Sequence, residues 1–209
     1  MRPLLKIGPL TNLQDARSSA AVGFDLISFS LELEQYRNMS PALIWSITQW
    51  LSGPGVILEA LHAAQAELHE TLTQVPAVAV SFPAGADTAL PTEYLHLPVW
   101  LRTGLNPDIT ALQAALAAAG PDARAEISLD TAAQADLYAD VRQQIIIHFS
   151  TLEAGADFIR QSAWIPAGLA LGPEAEEEPG QLDYARIDEW LEVFNHRFGT
   201  DGYVSPHHG

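Results

Sequence analysis

The chain has 209 residues, 48% of them apolar, which is enough for a sizeable buried core and excludes global disorder. Its 26 acidic and 10 basic side chains give a formal charge of −16, a surface that repels nucleic-acid phosphates and anionic lipid heads. It has no cysteine, which rules out disulfides, thiolate-bound zinc and thiol catalysis together.

Leu4 to Gly8 reads as a first buried strand. Thr11 or Asn12 caps the helix that follows, Asp15 lies near its positive end, and Gly23 closes it. Phe24 to Ser30 is a second strand, followed by a helix from about Pro41 to Leu51 with Pro41 in its first turn. Val56 to Leu61 is a third, weaker strand, running into a helix that extends to Gln74. Ala77 to Phe82 and Leu97 to Arg102 are the fourth and fifth strands. Asn106–Pro107–Asp108 starts a helix in which Leu112, Ala115, Leu116 and Ala119 share one face.

Glu126 to Leu129 is the sixth strand, and Thr131 to Gln144 reads as a short helical connection to the seventh, Ile145 to Phe149. Ile165 to Leu171 is the eighth strand, weakened by Pro166 and Gly168. Residues 172–180, with turn formers at both ends, read as a loop. The last helix starts near Asp183 and buries Ile187, Trp190, Leu191, Phe194 and Phe198. Strands alternating with helices imply parallel pairing, and eight such units predict an α/β fold: one (β/α)8 TIM barrel over residues 1–199. A doubly wound open sheet is the alternative, and residues 200–209 are expected to form a flexible tail.

No run approaches the roughly 18 apolar residues of a membrane span, and Met1 to Leu5 is too short in apolar residues for a signal peptide. A cytoplasmic protein without membrane or nucleic-acid partners is expected. No glycine-rich nucleotide loop, zinc helix or nucleophile elbow occurs, so no cofactor, metal or hydrolase site is predicted. His148 follows three isoleucines and reads as a satisfied core histidine or as a ligand.

Lys6–Ile7–Gly8–Pro9–Leu10–Thr11–Asn12–Leu13–Gln14–Asp15–Ala16 resembles the opening of phosphoribosylanthranilate isomerase, whose first strand runs Lys-Ile-Cys-Gly-Ile/Leu-Thr. Further pieces follow in the family's order. Gly23–Phe24–Asp25 with Phe29 is similar to its Gly-Ala-Asp…Gly-Phe, and Arg37–Asn38–Met39–Ser40–Pro41 to its Arg-Tyr-Val/Ile-Ser-Pro. Leu129–Asp130–Thr131 matches Leu-Asp-Thr, and Pro179–Gly180–Gln181–Leu182–Asp183 with Ile187 resembles Pro-Gly-x-x-Asp and the final helix.

The resemblance implies an Amadori rearrangement, in which an acid opens a ribose ring and a base removes the C2 proton. It gives Asp130 the acid's role, against a second reading of Asp130 as a helix cap. The family's base, a cysteine, corresponds to Gly8, so that role is vacant, with Glu59 and His148 as substitutes. Arg37 matches the arginine that holds the anthranilate carboxylate, or it pairs with Glu32 or Glu34. Lys6 lies near the family's site, or balances Asp130.

Ser150, Thr151 and Gly172 stand where the family's turns after strands seven and eight bind phosphate. There Pro173 removes a backbone donor, and Glu174, Glu176, Glu177 and Glu178 put like charge beside the anion or point into water. Three functions are expected from these residues. The first is an impaired isomerase-like barrel that binds a small carboxylated or phosphorylated metabolite. The second is an active isomerase with a substitute base, in tryptophan biosynthesis. The third is a non-catalytic scaffold.

Overall fold

Short strands with β-branched and other apolar residues, most of those described followed by a helix, close into a ring. A computed structural model of the chain describes residues 2–31, 39–60, 65–84, 96–178 and 181–199. Its first half runs β1 (Leu4–Ile7), α1 (Leu13–Ala21), β2 (Leu26–Ser30), α2 (Pro41–Thr48), β3 (Gly55–Glu59), α3 (Gln65–Gln74) and β4 (Ala77–Pro83). The second half runs β5 (Val99–Leu105), α4 (Ile109–Ala119), β6 (Arg124–Leu129), β7 (Ile145–Phe149), α5 (Leu152–Gln161), β8 (Gly168–Leu171) and α6 (Tyr184–Phe198). All eight strands are parallel, and β8 pairs back onto β1 through Leu4↔Gly168 and Lys6↔Ala170, so the sheet is a closed (β/α)8 barrel.

The helices begin where side chains satisfy their free N–H groups. The side chain of Asn12, rather than Thr11, accepts from the Asp15 N–H at 2.8 Å, and Asp108 and Asp183 do the same for α4 and α6. The connection between β6 and β7 is a 3-10 segment, Ala132–Val141. Within the stretch read as a loop, a 3-10 turn at Pro173–Ala175 leads into β9 (Glu176–Glu178), which pairs antiparallel with β10 (Gln181–Leu182). Glu176 and Glu178, expected in a loop, are paired because Leu182 and Gln181 return beside them. The expected tail, residues 200–209, lies outside the described residues.

Successive strand residues point to opposite sides, so each strand sends one set into the lumen and one toward the helices. Leu26, Ile57, Ala79, Trp100 and Ile146, with Ala170 one layer above them, form a cluster separate from the larger core and fill the lumen toward its N-terminal end. The larger core lies between sheet and helices; in α6 it takes Ile187, Trp190, Leu191 and Phe194, with Phe198 packed against it.

The barrel's first and last helices are tied by the Tyr184 O–H, which donates to the buried carboxylate of Asp15. Asp15 also accepts from Asn12 Nδ2 at 2.8 Å. Tyr184→Phe is expected to lower folding stability by about 1.5–3 kcal/mol, the worth of a hydrogen bond to a charged group. Urea unfolding of the two proteins measures it.

Candidate functional site

Two residues beyond the apolar lumen layer, the parity of each strand brings polar side chains inward. Lys6 follows Leu4, Ser28 follows Leu26, Glu59 follows Ile57, Ser81 follows Ala79, Arg102 follows Trp100, and His148 follows Ile146. Lys6 on β1 reaches Glu59 on β3 at 3.0 Å and Glu126 on β6 at 2.8 Å. These strands are not neighbours in the ring, so the contacts cross the lumen. Arg102 on β5 makes an ion pair with the other oxygen of Glu59. Lys6 and Glu59 are each only 1% exposed.

Two cations and two carboxylates therefore neutralise one another inside the barrel. Burial opposes the charge on Glu59, but Lys6 and then Arg102 outweigh it and hold its carboxyl down at about 2. Burial likewise works against the Lys6 ammonium, and Glu126 and Glu59 overcome it, raising Lys6 above its ordinary value of 10.5. Both groups stay ionised near neutral pH, which suits them to holding the lumen rather than to exchanging protons. Lys6 thus pairs with Glu59 and Glu126, not with Asp130.

The C-terminal mouth lies above this network, the face on which barrels of this class carry their sites. Gly8 follows β1 with φ of +129°. A Cβ on Gly8 would lie 2.5 Å from Ser28 Oγ and 2.7 Å from the Ser28 carbonyl oxygen. Asp130 follows β6 and is exposed; its carboxylate accepts from Asn106 Nδ2 at 3.2 Å. Capping below it is done by Gln134, whose side-chain oxygen accepts from the Asp130 and Thr131 N–H groups at 3.0 and 2.9 Å.

Ser150 is exposed at the end of β7. Thr151 caps α5, its hydroxyl accepting from the Ala154 N–H at 3.1 Å. His148 projects toward the turn after β8. Its Nε2 lies 2.6 Å from Glu174 Oε2 and its Nδ1 3.3 Å from Ser128 Oγ. The tautomer that satisfies both donates from Nε2 and accepts at Nδ1. The Gly172 N–H donates to Glu174 Oε1 at 2.8 Å. Arg37 lies outside the described residues.

Glu59 and His148 therefore both face inward, Glu59 locked in the buried network and His148 at the rim. Sequence reasoning missed Arg102, Glu126 and Ser128. A signal was present: a charged residue in the middle of a strand buried on both faces must find a partner across the lumen. Among the described residues, no group of three or more His, Asp or Glu is placed to hold a metal ion. No helix among them is long and apolar enough to cross a membrane.

Ring closure and a polar mouth over a charge-balanced lumen define a (β/α)8 barrel protein with its candidate site at the C-terminal face. The solved structures it resembles include phosphoribosylanthranilate isomerases. That of Thermotoga maritima is 16% identical, with 93% of this chain and 99% of that chain covered and a TM-score of 0.75. That of Thermus thermophilus is 18% identical, with 94% and 99% covered and a TM-score of 0.73. A further one, in complex with reduced 1-(o-carboxyphenylamino)-1-deoxyribulose 5-phosphate, is 17% identical, with 93% and 99% covered and a TM-score of 0.74. No family model matches the chain, and no curated protein matches it. At these identities the likeness establishes the shared barrel.

Proposed function

We propose that this chain is a phosphoribosylanthranilate isomerase-like barrel impaired in the isomerase reaction, which binds a small carboxylated or phosphorylated metabolite at its C-terminal mouth. The observation that carries this reading is Gly8. It stands where the resemblance puts the base, and its positive φ and the nearby Ser28 carbonyl leave no room for any side chain there. Losing one positioned base costs about 10²–10⁴ in rate. Asp130 is open to solvent and held by Asn106, which suits a carboxylate that meets a ligand. Arg37 supplies a planar fork for a ligand carboxylate, a role that rests on the resemblance.

The second reading, an active isomerase with a substitute base, is favoured by one observation. A Cβ on Gly172 would lie 3.0 Å from His148 Nε2 and 3.6 Å from the Gly8 carbonyl oxygen, so the imidazole and the Gly8 backbone border the same turn. One pair of measurements separates the two. With N-(5′-phosphoribosyl)anthranilate the purified protein is expected to show no turnover above background. Anthranilate-like acids are expected to raise its melting temperature, an effect that Arg37→Ala removes. Turnover that His148→Ala abolishes establishes the second reading instead, and a protein that neither turns over nor responds to ligands is a scaffold.

A further inference from the structure

We propose that Glu174 is a built-in anion: its carboxylate occupies the anion-binding position of the barrel mouth and restricts that mouth to ligands without a phosphate group. This narrows the ligand class of the reading above and rests on that reading for its meaning in the cell. In barrels of this class the turns after the last two strands offer backbone N–H groups to phosphate. Here two donors at that place, the Gly172 N–H and the Nε2–H of His148, face the Glu174 carboxylate. Each already serves one oxygen of Glu174, at 2.8 and 2.6 Å. These are the lengths of charge-assisted hydrogen bonds, and both oxygens are used, as an external oxyanion would use them. The side chain is only 8% exposed, so the carboxylate is seated in the mouth and not waving in solvent.

The turn has support besides the carboxylate. The Ala175 N–H donates to the Gly172 carbonyl at 3.0 Å, and the Asp183 N–H to the Ala175 carbonyl at 2.8 Å. Arg186 Nη1 donates to the Glu174 carbonyl at 3.4 Å. With β9 and β10 paired beyond it, the turn also has backbone contacts that do not involve the side chain. A phosphate arriving here meets occupied donors and a negative charge, whereas a ligand that is neutral or cationic at this end meets no such barrier.

The test is titration with inorganic phosphate, followed by calorimetry, on the wild type, Glu174→Ala and Glu174→Ala/His148→Ala. Wild type is expected to show no saturable binding. Glu174→Ala is expected to bind phosphate saturably, at least about tenfold more tightly than the weakest binding the titration can detect, since two donors are released, and the added His148→Ala to reverse most of that gain. A folded Glu174→Ala that gains no phosphate affinity overturns the proposal, as does a gain indifferent to His148. Glu174→Ser vacates the same position if the alanine variant does not fold. In the wild type, the amide signal of Gly172 is expected to stay unmoved by phosphate; a saturable shift overturns the proposal without any variant. These outcomes are independent of the Arg37→Ala measurement, so the anion site and the metabolite reading fail separately.

Discussion

Lys6→Met is expected to lower folding stability by about 3–5 kcal/mol, the cost of leaving a buried charge without its partner. For a domain of this size that is a fall in melting temperature of roughly 6–20 °C. Methionine fills most of the lysine's volume, so the effect reports charge and not a cavity. Glu59 and Glu126 would then share a lumen with Arg102 as their only described counter-charge. The charge count makes a sharper statement. Adding Glu126→Gln to Lys6→Met removes one cation and one anion and leaves the Glu59–Arg102 pair balanced. The double variant is expected to recover most of the lost stability, because replacing a whole buried pair costs far less than breaking it. Equal loss in the single and double variants would show that Lys6 acts by packing alone.

The same network sets a pH dependence. The Glu59 carboxyl is held at about 2 in the folded protein against an ordinary value of 4.5, by Lys6 and Arg102 working against burial. Its stabilising contribution is complete above 4.5 and is lost as pH falls from 4.5 through about 2. Lys6 is raised above 10.5, so its contribution is complete below 10.5 and is lost as pH rises through the folded value. The stability gap between wild type and Glu59→Gln is therefore expected to be widest above pH 4.5 and to close toward pH 2. Denaturant unfolding at several pH values measures this.

Gly8→Cys is expected to destabilise the protein and to produce no isomerase. The φ of +129° disfavours every L side chain, at about 1–3 kcal/mol. The new Cβ would also lie 2.7 Å from the Ser28 carbonyl oxygen, a backbone atom that cannot rotate away as Ser28 Oγ can. Overpacking of this kind adds roughly 1–3 kcal/mol. Gly8→Ala is expected to lose nearly as much, since the cost arises at Cβ and not at the thiol. Thermal unfolding of the two variants provides the comparison. A stable Gly8→Cys protein that turns over N-(5′-phosphoribosyl)anthranilate would show that the position differs from a native catalytic strand end by one atom group alone.

The matched motifs divide by physical role once they are placed in the barrel. Asp25, from the Gly23–Phe24–Asp25 piece, accepts from the Leu5 N–H at 2.7 Å and from Arg2 at 2.8 Å. It anchors the start of β1 at the end of the barrel opposite the mouth, so that part of the resemblance concerns folding. Asp183 caps α6. Lys6 keeps the family's residue type and is wholly engaged with Glu59 and Glu126. Among the described residues, Asp130 is a matched position exposed at the mouth, and the turn after β8 has departed from the pattern.

The sequence by itself determined the alternation of strands and helices and several helix starts, because those signals lie within a few residues of one another. The open sheet it also allowed was excluded only by the pairing of β8 with β1. The spacing of Leu112 and Leu116, the apolar run Ile145–Ile146–Ile147, and the side chains of Asp108 and Asp183 act on their own segments. Tertiary structure alone decided what the inward charges do. Lys6 and Glu59 are 53 residues apart, and no local pattern says which carboxylate a buried ammonium will meet. The backbone angle at Gly8, the hairpin after β8 and the seating of Glu174 on Gly172 and His148 arise only when β1, β7 and β8 come together at the mouth. Burial in a closed lumen forces such groups into pairs, and chain closure chooses the partners.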